Sequence, residues 1–137
     1  MPETVRRLNP PTMESPPGYT HVVEVAGPAR IIYFAGQLGV DKSGAFAGRP
    51  GDFQAQTVQA FENLKAALTA VGAGFEHLVK INNYIVDIGH NIAVFREVRD
   101  RYLAASALPA STAIGVPALA RPGGLFEIEA VGVLPPG

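Results

Sequence analysis

"HLVKINNYIVDI", residues 77–88, sets the frame for the whole chain. Val79, Ile81, Asn83 and Ile85 alternate with Lys80, Asn82, Tyr84 and Val86, a period of two that puts one set on each face of a β-strand. A helical pattern lies on either side. Upstream, Val58, Phe61, Leu64, Leu68 and Val71 recur every three or four residues, the apolar stripe of an amphipathic helix. Asp52 stands before it as a side-chain cap, and Gly72 and Gly74 follow as residues able to take the left-handed conformation that ends a helix. Downstream, Asn91 is read as the cap of a second helix that turns Ile92, Phe95, Val98 and Tyr102 inward. Arg96 with Asp100 and Glu97 with Arg101 are each four apart and mark its solvated face.

Outward from this unit the chain reads as strands. "YTHVVEVAG" (19–27) and "IIYFAGQLGV" (31–40) flank the turn "GPAR" and suggest a hairpin, its second strand near the sheet centre. "LPASTAIGVPALARPGGLFEIEAV" (108–131) reads as two short strands joined by a glycine-proline turn. The order is three strands, helix, strand, helix, two strands. Crossover connections place both helices on one sheet face. The opposite face is then bare although residues 31–38 are apolar on both sides, and self-association is the simplest way to cover it. The first 18 residues hold five prolines and form an arm on the body, with "TVRRL" free to make a short edge strand. Residues 19–137 form one domain, since 137 residues are too few for two ordinary cores.

Composition narrows the function. Eleven basic and twelve acidic residues give a formal net charge of −1, which supplies no field for a polyanion, so nucleic acid is not an expected partner. No cysteine is present, which removes disulfides, thiolate nucleophiles and the common structural zinc sites and agrees with a cytoplasmic location. No apolar run approaches the ~18 residues of a membrane span. His21, His77 and His90 lack the spacing of metal ligands, and "GQLG" and "GRPGD" lack the lysine of a phosphate loop, so neither a metal site nor a phosphate loop is expected. Charged residues make up only 17%, few for covering a small monomer, which again points to surface hidden between subunits.

The order of elements, with "GQLG" at 36–39, "GDFQAQTVQAFENLKAAL" at 51–68, "VKINNYIVDI" at 79–88, "PAST" at 109–112 and "EIEAVGV" at 127–133, resembles the Rid/YjgF family over about residues 17–134. The resemblance implies an α+β, chorismate-mutase-like fold: a sheet of about six strands with two helices on one face, assembled as a homotrimer around a central barrel. It also implies a small-molecule ligand in clefts between subunits, and hydrolysis of reactive imines or enamines without metal or organic cofactor.

Such hydrolysis needs water delivered to an electrophilic iminium carbon, an oxygen that orients the water, and a cation to pin a substrate carboxylate. By the resemblance Glu127 is the water-orienting carboxylate, Tyr19 the aromatic residue covering the cleft, and Gly36 and Gln37 the loop whose backbone approaches the ligand. Phe95 stands where some active members carry a polar asparagine. Active members carry the cation directly after "PA"; here that residue is Ser111. Serine offers one hydrogen bond and no charge, so a charge-assisted contact worth roughly 1.5–3 kcal/mol per bond is missing. Arg121, in the turn "ALARPGG", is a candidate replacement. Glu127 and Glu129, two apart on one face, have the spacing of an acid-base pair but no sugar-stacking aromatic beside them. Two functions therefore stand side by side: a deaminase or hydrolase of C=N or enamine substrates with altered preference, and a non-catalytic small-molecule binding or regulatory module.

Overall fold

The structure is a computed structural model that describes residues 4–137; Met1 to Glu3, the tip of the expected arm, lie outside the described residues. In chain order the elements are β1 Val5–Leu8, β2 Val22–Val25, β3 Arg30–Leu38, α1 Phe53–Ala70, a 3-10 turn Phe75–His77, β4 Leu78–Val86, α2 Ile88–Tyr102, β5 Ala110–Val116 and β6 Phe126–Leu134. The strands pair as two ladders, β1-β2 and a mixed sheet of order β3-β6-β4-β5. The two helices touch each other, α1 packing on β3 and β6 and α2 on β4 and β5. The result is the expected α+β, chorismate-mutase-like arrangement, with both helices on one face of the four-stranded sheet and the remaining two of the six strands paired as a separate ladder.

The alternation in β4 is what orients the sheet. Ile81, Asn83 and Ile85 are fully buried beneath the helices, and Lys80, Asn82 and Tyr84 lie on the opposite, open face. Ile81 pairs with Ala130 of β6 and Ser111 of β5, whereas Tyr84 pairs with Glu127 and Ile114. Paired residues share a face, so Ser111 belongs to the helix side and Glu127 to the open side. The helices contribute Phe61, Leu64, Leu68, Phe95 and Val98, each at most 1% exposed and worth roughly 1.5–3 kcal/mol of burial. Phe61 stacks between Phe126 (5.9 Å) and Tyr102 (5.1 Å), joining both helices to β6.

Asp52 caps α1 as expected, its Oδ1 accepting the Ala55 N–H at 2.9 Å. Gly72 ends the helix region with φ +75°, but Gly74 has φ −127° and is simply extended. Val71 is the C-cap and 38% exposed, so the apolar stripe stops at Leu68. The second helix starts earlier than its polar pattern suggests. Asp87 is the N-cap, in the left-handed conformation (φ 52°), and Asn91 lies within α2, buried, with Nδ2 donating to the Val86 carbonyl at 2.8 Å. Its amide therefore finishes the end of β4 instead of starting α2. On the outer side of α2, Glu97 and Arg101 meet at 3.4 Å, but Asp100 turns to Arg99 instead of Arg96.

Two pairings differ from the sequence reading. β2 does not form a hairpin with β3: it pairs with β1, where Arg6 and Glu24 form an ion pair, and β3 occupies an edge of the four-stranded sheet. A turn signal fixes a reversal of direction, but not which strand becomes the neighbour. β5 and β6 are likewise not adjacent, because β4 lies between them. The α2 crossover returns β5 parallel to β4, leaving β6 to pair antiparallel on the other side.

The arm is tied down by polar contacts. The Arg7 guanidinium donates to the carbonyls of Glu76, Leu78 and Leu108, and Thr20 bonds the chain ahead of β5 through N–H to Pro109 O (3.0 Å) and Oγ1 to Leu108 O (2.6 Å). These contacts bring Tyr19 to the start of β5.

Candidate functional site

The sequence-predicted residues fall into two groups, one on each face of the sheet. The first is built at an irregularity in β3. Phe34 pairs with Ala130 but Gln37 pairs with Ile128, so Ala35 and Gly36 bulge from the ladder. A Cβ on Gly36 would lie 2.5 Å from Glu127 Oε2; only glycine lets that carboxylate rest against the β3 backbone. Gln37 turns its Nε2 back to the Ala35 carbonyl at 3.2 Å. Glu127 is half-buried, and its carboxylate takes no side-chain hydrogen bond among the described residues. Glu129 is different, since Asn82 Nδ2 (3.2 Å) and the Tyr84 hydroxyl both donate to its Oε1. That hydrogen bond, with burial and the charges of Glu129 and Glu127, raises the Tyr84 phenol pKa, so the tyrosine stays a donor. The two glutamates are thus unlike: one is engaged in the sheet and the other is available.

The second group surrounds a 110 Å³ cavity on the helix side, at the exposed flank of β5. Ser111 and Ala113 supply one wall, Tyr19 just after the arm another, and Phe95 and Arg99 of α2 a third. Phe95 is only 1% exposed, with its ring 5.5 Å from that of Phe126, so it joins the cavity to the core. The Ser111 hydroxyl accepts from Asn83 Nδ2 at 3.2 Å, and the same amide nitrogen donates to the Thr112 carbonyl at 3.1 Å. Asn83 Oδ1 is buried without a partner among the described residues.

Arg121 reaches neither group. Its Nη2 donates to the Gly44 carbonyl at 2.6 Å and its guanidinium covers the Phe46 ring at 5.2 Å, which ties the 121–124 turn to the loop before α1. Gln56 holds the same turn from the helix, donating to Gly123 O and accepting from Leu125 N. Sequence reasoning passed over Arg99, Asn83 and Gln56. Asn83 was recognisable as the one polar residue on the inward face of β4, but Arg99 looked like any charged residue in "FREVRDRY". Among the described residues no three His, Cys, Asp or Glu side chains come together as metal ligands, and no helix is long and apolar enough to cross a membrane.

Two helices packed on one face of the mixed sheet, with the β1-β2 ladder beside it, define the chain as a chorismate-mutase-like domain. It belongs to the Rid/YjgF family, whose sequence model, described as Endoribonuclease L-PSP, matches residues 12–134. Among relatives, Protein DfrA of Myxococcus xanthus is 35% identical over 115 residues, covering 84% of each chain. The RutC family protein YjgH of Escherichia coli is 30% identical over 105 residues, 77% of this chain and 76% of its own. The crystal structure of the Rid-family protein YyfB from Yersinia pestis superposes with a TM-score of 0.86 at 34% identity, covering 96% of this chain and all of that one. RidA from a Psychrobacter species gives a TM-score of 0.69 at 30% identity.

Proposed function

We propose that this protein is a homotrimeric deaminase that hydrolyses an imine or enamine in clefts between subunits, with a substrate preference altered by Ser111. The observation that carries the proposal is Glu127, an available carboxylate held against the Gly36 backbone in a position only glycine permits. Protonation of an enamine at carbon, or of an imine at nitrogen, by solvent gives the iminium ion. Water then attacks its carbon, Glu127 taking one water proton, and a carbinolamine forms. Glu127 returns that proton to the amine nitrogen; as the C–N bond breaks the hydroxyl proton passes to Glu127 and on to the departing ammonia, so the carbonyl compound and ammonium leave. No electron transfer occurs, and each proton moves between Glu127, water and the substrate.

Assembly belongs to the same reading. Glu127 and Gly36 lie on the open face, Tyr19 and Ser111 on the helix side, so a complete cleft requires a second copy that brings its Ser111 flank to the first copy's Glu127. Covering the open face also removes Ile31 (55% exposed) and Tyr33 (79%) from water. A cysteine-free chain suits the reducing cytoplasm, where we place it. Ser111 supports a second reading, a binding module that keeps the cleft without the chemistry. Ammonia release from freshly generated imines separates the two. Turnover by the wild type that falls 10²–10⁴-fold in Glu127→Gln supports hydrolysis, within the usual range for an acid-base group; no acceleration over buffer by the wild type contradicts it.

A further inference from the structure

Among the described residues Arg99 is the only charged residue in the buried class, its side chain 9% exposed. A guanidinium carries five N–H donors and is costly to bury unless they are used. Arg99 uses one: Nε donates to Oδ1 of Asp100, an exposed carboxylate, at 3.0 Å. The two Nη groups find no acceptor among the described residues. They are nevertheless held in place. The guanidinium carbon sits 5.7 Å from the Phe95 ring centroid, and Gly18, at φ +82°, lies so close above that a Cβ there would come within 2.3 Å of Nη2. Arg99 lines the same cavity as Ser111 and Tyr19. Ser111 Oγ already accepts from Asn83, which leaves its own O–H to donate toward a ligand.

We propose that Arg99 is the anion seat of this cleft: its Nη groups, assisted by the Ser111 hydroxyl, bind the carboxylate of a small ligand from α2, where position 111 of β5 provides no charge. Arg96 at the cavity rim adds positive potential, and Asp100 offsets part of it. The inference rests on reading the cleft as a small-molecule site and sharpens it: the substrate is an imine or enamine that carries a carboxylate. Arg99 acts here as a specificity-determining residue, not as a group that moves a proton.

Pyruvate, a small keto acid of the product class, and its uncharged amide are suitable probes. With ¹⁵N-labelled wild-type protein the expected result is saturable pyruvate binding that moves the Arg99 Nε–H resonance and the Ser111 and Ala113 amides, with the amide ligand at least tenfold weaker. Arg99→Gln weakens pyruvate binding roughly 10- to 100-fold and leaves pyruvamide unchanged, the loss expected for a bidentate charged contact, and Arg99→Lys recovers part of the affinity. No saturable binding to the wild type, or an Arg99 resonance unmoved at saturation, overturns the proposal without reliance on a variant's folding; so does unaltered pyruvate affinity in folded Arg99→Gln. Ammonia release, measured in parallel, distinguishes the two readings. Turnover of carboxylate-bearing imines with a KM unaltered in Arg99→Gln leaves hydrolysis standing and removes the anion seat, whereas pyruvate binding at Arg99 without turnover does the reverse.

Discussion

Gly36 and Glu127 show how much a single missing methyl group can decide. The Cβ of an alanine at 36 would meet Glu127 Oε2 at 2.5 Å, and the atom in the way is the end of a flexible side chain. Gly36→Ala therefore leaves the fold intact by circular dichroism but displaces the carboxylate, and ammonia release should drop at least tenfold. Full activity in a folded Gly36→Ala protein would mean that the position of Glu127 is unimportant. "GQLG" contains both kinds of close approach, because a Cβ on Gly39 would meet the Gln56 carbonyl of α1 at 2.1 Å. The motif was visible in the sequence, but the two reasons for it were not: each glycine answers to a partner 17 or more positions away, and no local pattern encodes that. Arg99 was hidden differently. A charged residue on a helix is read as solvated unless something shows that its face is covered, and here the cover comes from the arm through Gly18.

At the scale of elements, what could be read depended on periodicity. α1 announced itself through a repeat every three or four residues and a capping aspartate, and β4 through strict alternation. The start of α2 was masked because Asp87 caps it from a left-handed conformation, an unusual state for a residue with a side chain, while Asn91 looked like the conventional cap. Strand neighbours were misread where a turn was allowed to choose them, as for β2 and β3. The glycine contrast provides a stability test. Gly39→Ala forces β3 and α1 apart, backbone against side chain, and should cost about 2–3 kcal/mol in urea unfolding. Gly89→Ala, in α2 with open space around its Cβ, should stabilise by up to ~1 kcal/mol. Equal effects from both would contradict the α1–β3 packing described above.

For the whole molecule, the open sheet face is the largest consequence of the fold. Ile31, Tyr33 and Ile114 are exposed on it around the Tyr84–Glu129 pair, three large apolar side chains on one face. The sequence disclosed this face through its element order and its low charge, but not which residues meet across it. If the face closes a trimer, light scattering gives about three times 14.4 kDa for the wild type, and Tyr33→Glu, which buries a charge at the contact, shifts the mass toward one chain. An unchanged mass in Tyr33→Glu would place assembly elsewhere. The separation of Glu127 from Ser111 on opposite faces then allows a decisive measurement, in which Glu127→Gln and Ser111→Trp proteins, each inactive alone, are unfolded together in equal amounts, refolded and assayed for ammonia release. Clefts shared between chains predict recovery to about a quarter of wild-type activity, the fraction in which both halves are intact; a mixture no more active than its components would contradict a site built from two subunits.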